Sequence, residues 1–369
     1  MRTLATRLAF IDALKAIASQ LIVLHHLAFY GPMSDVASQL APSLFSWLSQ
    51  DARIAVQIFL VIGGFLAARA LAPSGKLMTD KPFALLKKRY LKLVIPYFAA
   101  VLLSILCAAL ARRLMDHDSI PDPPGVWQVL AHIAMMQNLL DFDSLSAGVW
   151  YIAIDFQLFT LLLFTLWLAR AAVRGIAGTH FLGITLVACL ALVSLFYFNR
   201  DSNWDNWALY FFGAYALGTL SYWLTEARQQ PGWLLVMVGV VVAALLVDFR
   251  SRIAVALLAA LALGIAQHRG FMEKHPQGSV LAYLGKISYS VFLAHFPVIL
   301  VINAIVTRLA PESPATNAFG IVLAWAASIA AGAVFYRFVE SRASIWQELC
   351  IDRAQRVLKR FVLVFRTKS

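Results

Sequence analysis

Apolar runs long enough to cross a bilayer recur along almost the whole of this chain. A helix rises about 1.5 Å per residue, so roughly 20 apolar residues match a hydrocarbon core of about 30 Å. Ten such runs are legible, at 7–30, 53–72, 90–111, 149–173, 178–198, 205–225, 232–249, 252–268, 280–308 and 318–339. Lipid offers no water to backbone N–H and C=O groups, so each segment must satisfy its own peptides as a helix. The expected fold class is therefore all-α, a polytopic membrane helical bundle with about ten transmembrane helices. With 61% of residues hydrophobic and only 14% charged, an ordinary soluble domain is excluded. The stretch 126–140 is shorter and carries His132 and Asn138, so it is expected at a surface or as a re-entrant segment outside the count.

Ten crossings put both termini on one side, and the basic residues then sort by side. Twenty-one Lys and Arg residues fall with the termini and six opposite, the remaining four lying in or at the edge of spans. Cationic loops stay in the cytoplasm, so this imbalance predicts cytoplasmic termini, and the expected location is the cell inner (cytoplasmic) membrane. The net charge of +12 has the same origin and implies contact with anionic lipid rather than nucleic acid. Two units are expected: a transmembrane domain over 1–342 and a cytoplasmic basic amphipathic tail over 343–369, where Arg and Lys alternate with Trp346, Leu349, Val357, Leu358 and Phe361. Arg2 and Arg7 precede the first apolar run as in a signal peptide, but Lys15 interrupts that run, and it is expected to persist as the first helix. Cys107, Cys189 and Cys350 have no metal or disulfide spacing, and the adjacent Asp116, His117 and Asp118 read as a polar loop, so no metal site is expected.

Hydrocarbon penalises ionisable groups, so those inside the spans are the functional candidates. Lys15 and His26 in LKAIASQLIVLHH are eleven positions apart. At about 100° and 1.5 Å per residue, they share one helix face roughly 16 Å apart. Asp12 and Ser19 lie near that stripe, and His25 points away from it.

The same stretch, DALKAIASQLIVLHH, resembles the first-helix signature of the integral-membrane acyltransferases called acyltransferase family 3, a basic residue followed after ten others by histidine. Further stretches resemble that family in order: IFLVIGGFL (58–66), RYLKLVIPYF (89–98), WYIAIDFQLF (150–159), LGKISYSVFLAHFPV (284–298) and YRFVESR (336–342). Lys15 stands where arginine is commoner, and Asp155 where glutamate is usual. The resemblance implies an acyl-CoA-dependent O-acyltransferase with acyl-CoA, acetyl-CoA first, as donor substrate and no permanently bound cofactor. The implied partners are a glycan or lipid-linked sugar acceptor and membrane lipid.

Depth orders the candidates. His26 lies four residues from the outer end of the first span and Asp155 six from that of the fourth, with His295 in the outer half of the ninth. These three are the expected catalytic residues, His26 as base or nucleophile and Asp155 as the carboxylate fixing its tautomer. Lys15, Arg69, Arg89 and Lys92 cluster near the inner ends, as do Arg337 and Glu340, and the first four are expected to hold donor phosphates. Trp150, Tyr151 and Gln157 are the candidates for acceptor contact, although Tyr151, Trp204 and Trp207 also suit an interfacial aromatic belt. The rival reading is a proton-coupled transporter or lipid-linked sugar flippase with Lys15, His26, Asp155 and His295 as its relay, for which no internal repeat is visible.

Overall fold

The computed structural model describes residues 8–173, 179–225, 232–273, 280–343 and 345. Apart from Ala343 and Ile345, the expected tail at 343–369 lies outside the described residues, as do Arg2 and Arg7. All described elements are helical. In chain order the α-helices are α1 (Ala9–Phe29), α2 (Met33–Ala37), α3 (Pro42–Gln50), α4 (Val56–Leu71) and α5 (Pro82–Leu114). Next come α6 (Val126–Ile133), α7 (Val149–Ala172), α8 (Thr179–Phe196) and α9 (Ala208–Thr225). The last are α10 (Gly232–Val247), α11 (Ser251–His268), α12 (Val280–Leu309) and α13 (Pro314–Phe338).

Among the described residues, eight helices are long and apolar enough to cross a membrane. The two expected spans outside that set are α9 and α10, and each departs for its own reason. The described part of α10 runs for 16 residues, below the length that the hydrocarbon thickness asks of a span. α9 is buried along nearly its whole length and packs against α4, α7, α8, α10 and α11. A helix sheathed by other helices need not be apolar toward lipid, which is how α9 carries three tyrosines, Thr219 and Ser221. The segment expected to stay out of the count forms α6, eight residues long, then a short 3-10 turn at Asn138–Leu140. Neither spans a bilayer.

Close helix contact comes from small residues. A Cβ on Gly64 would run into the Tyr215 carbonyl, and one on Gly218 into that of Val61, so α4 and α9 touch backbone to backbone. Thr219 Oγ1 donates to the Gly64 carbonyl at 3.1 Å across the same crossing. A second packing unit joins α1, α12 and α13 around Val23, Leu27, Ile287, Val291 and Ile299. α12 thus sits between α1, α5 and α13 and carries its polar face toward α1.

Candidate active site

The last turns of α1 meet the middle of α12 through two imidazoles. His26 Nδ1 lies 2.7 Å from His295 Nε2, and the rings stack with centroids 4.9 Å apart and planes 5° from parallel. His295 Nδ1 lies 3.2 Å from the Val291 carbonyl, one helical turn back. A carbonyl only accepts, so His295 carries its proton on Nδ1 and presents a lone pair at Nε2. His26 must then donate from Nδ1, which leaves the lone pair of its Nε2 free. His295 has no exposure and lines neither of the two cavities described below, so it reaches them through His26. His25 lies beside His26, with ring centroids 5.0 Å apart, and donates from Nδ1 to the Leu48 carbonyl of α3 at 2.9 Å.

His26 lines a cavity of about 530 Å³. Its walls include His25, Tyr30, Arg53 and Trp150, and its loop side brings Asp118, Asp122 and Asp143. Arg112, at the end of α5, donates to the Pro121 carbonyl and ties down the loop that supplies two of those aspartates.

A second cavity, of about 630 Å³, is cationic. Lys15 enters it from α1, and Lys88, Arg89 and Lys92 from the first turns of α5. Two carboxylates face them. Asp155 of α7 accepts from Arg89 Nη2 at 2.5 Å, and the guanidinium also lies over the Phe159 ring, 5.3 Å from its centroid. Glu340, past the end of α13, accepts from Ser290 Oγ at 2.5 Å. Arg89 is thus neutralised by its partner, and among the lining residues three lysines oppose the single remaining carboxylate, with Asp12 acting on Lys15 from its own helix. The chamber keeps a positive balance that suits an anionic ligand.

An aromatic wall stands between the two. Phe292 lines both cavities. On the cationic side it is backed by Tyr151, with centroids 5.5 Å apart, and by Phe59 at 6.1 Å. Phe59 and Tyr151 are themselves 6.0 Å apart. On the other side Phe292 lies 6.0 Å from the His295 ring.

The structure regroups the residues picked out from the sequence. Asp155 does not orient His26: it belongs to the cationic cavity and pairs with Arg89. A carboxylate in a low-dielectric interior needs a full opposite charge, and a guanidinium fork supplies one where a neutral imidazole cannot. His295 occupies the position foreseen for that carboxylate. Lys15, Arg89 and Lys92 meet as expected, whereas Arg69 is exposed and lies outside the cavity. Trp150 faces the histidine cavity and Tyr151 the cationic one. Gln157 reaches neither. Its Oε1 accepts from the N–H of Ala208 at 3.1 Å, satisfying one of the free donors that open α9. Lys88, Phe59 and Phe292 were missed as lining residues, though both phenylalanines lie inside the family-like stretches 58–66 and 284–298.

A family model described as an acyltransferase domain matches residues 8–337, a range that takes in both cavities except for Glu340 and Ala343. The chain is also similar to the regulator of hypoxia-inducible factor 1 of Caenorhabditis elegans, at 22% identity over 418 residues, covering 91% of this chain and 80% of that protein. No solved structure matches it.

Proposed function

Because the chain belongs to the acyltransferase family whose model covers residues 8–337, we propose that it transfers an acyl group, acetyl first, from cytoplasmic acyl-CoA to a hydroxyl of a periplasmic or lipid-linked glycan. The membrane in this reading is the inner, cytoplasmic membrane of the cell, with both termini on the cytoplasmic side. The donor's phosphates lie against Lys15, Lys88 and Lys92, while Arg89 is held by Asp155 at the same wall. The acceptor enters the histidine cavity, where Trp150 offers a ring face to a sugar and Asp118, Asp122 and Asp143 offer acceptors for its hydroxyls.

The observation that carries this reading is the free Nε2 lone pair of His26, set by the chain from the Val291 carbonyl through His295. In the reaction, Nε2 takes the proton of the acceptor hydroxyl as its oxygen attacks the thioester carbon. The C–S bond breaks, the new C–O ester bond forms, and the imidazolium returns its proton to the CoA thiolate. His295 stabilises that imidazolium by accepting from Nδ1 throughout, the part a carboxylate plays in a Ser–His–Asp triad.

Membranes from cells producing the parent or the His26→Ala protein at equal amounts, given acetyl-CoA labelled in the acetyl group, test this. The parent is expected to release CoA and leave alkali-labile label on glycan, and the variant to lose at least about 10²-fold in both. Equal rates would overturn the assignment. The transporter reading requires one relay through Lys15, His26, Asp155 and His295. The aromatic wall parts that set in two, and release of CoA on addition of the acceptor is an outcome that reading does not produce.

A further inference from the structure

The wall of Phe59, Tyr151 and Phe292 stands where the acyl group itself must sit. If the donor is held by its phosphates among the lysines and attacked beside His26, its thioester has to reach the boundary shared by the two cavities. That boundary is Phe292, the residue lining both. Centroid separations of 5.5–6.1 Å are those of rings in contact, so no channel of alkyl width runs between them. Toward Gly148 Phe292 has no slack, so the ring can move only toward the cavities it lines. A Cβ added at Gly148 would fall 2.9 Å from its Cε1, so the ring already rests on bare backbone.

We propose that Phe292, backed by Phe59 and Tyr151, sets the acyl chain length of the donor and restricts it to acetyl or its near equals. This rests on the acyl-CoA reading above and deepens it. In an open apolar pocket each added methylene would tighten binding. Here a two-carbon group needs one ring to swing aside, whereas each further methylene must displace a second or third ring from a packed set, and overpacking of that kind opposes binding. Phe292 and Phe59 are specificity-determining residues in this assignment, with no part in proton transfer.

Binding of CoA thioethers, which cannot react, isolates the effect. The full chain in lipid nanodiscs is titrated calorimetrically with CoA, S-ethyl-CoA and S-hexyl-CoA. The parent is expected to bind S-ethyl-CoA at least about tenfold more tightly than S-hexyl-CoA, and Phe292→Ala to bring that ratio within about threefold. Phe59→Leu removes less bulk, is expected to shift the ratio the same way by a smaller factor, and decides the matter should Phe292→Ala not elute as folded protein. A parent that binds CoA but shows no preference for the ethyl thioether overturns the length filter alone. So does a folded variant that keeps the parental ratio. A parent that binds none of the three overturns the donor reading and the filter with it.

Discussion

His295 Nε2 accepts from His26 Nδ1 at 2.7 Å, two residues separated by 269 positions and brought together by the packing of α1 on α12. The consequence is a defined tautomer. Without His295, nothing obliges His26 to keep its proton on Nδ1, and the imidazolium formed on proton uptake loses its acceptor. His295→Ala is therefore expected to lower acyl transfer by about 10²–10⁴-fold with little change in the donor concentration at half-saturation. His295→Gln, whose amide oxygen still accepts, is expected to recover part of that loss. A purely structural role for His295 would be exposed by both variants losing activity equally, together with thermal stability.

The Arg89–Asp155 pair leads to a stability prediction of a different kind. Asp155 keeps 9% of its side-chain exposure and Arg89 30%, so removing the carboxylate strands a largely buried cation. Breaking a buried pair from one side costs about 3–5 kcal/mol, and the partial exposure of Arg89 places this one at the lower end. Asp155→Ala is expected to melt well below the parent in detergent, and the double variant Asp155→Ala with Arg89→Met to regain most of the loss. A double variant no more stable than the single one would mean that the pair is not what Asp155 contributes.

His132 gives a prediction in pH. Outside the spans, on α6, it donates from Nδ1 to the Gln128 carbonyl at 2.8 Å and accepts at Nε2 from the N–H of Leu145 at 3.1 Å. Both nitrogens are engaged only in the neutral ring, and burial holds its pKa below the usual histidine range. A base whose folded pKa is depressed stabilises the fold above its unfolded pKa and loses that contribution as pH falls. Between pH 8 and 5 the loop after α6 is expected to lose protection from amide hydrogen exchange at Leu145. In His132→Ala the same amide should exchange fast at both values. Unchanged protection of Leu145 at pH 5 in the parent would refute the staple.

How far these features were legible in the sequence depends on whether a single segment carries them. The spans were, because length and hydropathy are local, and so was the shared face of Lys15 and His26, which helix periodicity fixes. The segment of α9 was expected as one of ten equal spans and proved to be sheathed by other helices, since burial by neighbours replaces apolarity toward lipid and leaves no local signature. Asp155 was expected beside His26 and instead pairs with Arg89. Depth counted from span ends ignores that α5 begins at Pro82, eight positions before its apolar run, and lets a guanidinium arm reach inward. The aromatic wall was invisible for a simpler reason. Phe59, Tyr151 and Phe292 are three apolar residues among many, and only their convergence from three helices distinguishes them.

The crossing of α4 and α9 makes a further prediction independent of any chemistry. Gly64 and Gly218 each face a carbonyl of the opposing helix, with no room for a side chain, and α9 packs against five other helices. Gly218→Val would force backbone apart at the centre of the bundle and open contacts around Phe65, Phe212 and Tyr215, all fully buried. Overpacking costs about 1–3 kcal/mol where a side chain can yield, and here the obstacle is backbone, so the upper end or beyond applies. The same substitution at Gly239 of α10, where an added Cβ meets nothing within 4 Å, is expected to leave the melting temperature close to that of the parent. Comparable melting of the two variants would show that the α4–α9 contact is looser than a backbone crossing, and the position of Asp155, whose α7 packs on both, would then have to be explained by α7 alone.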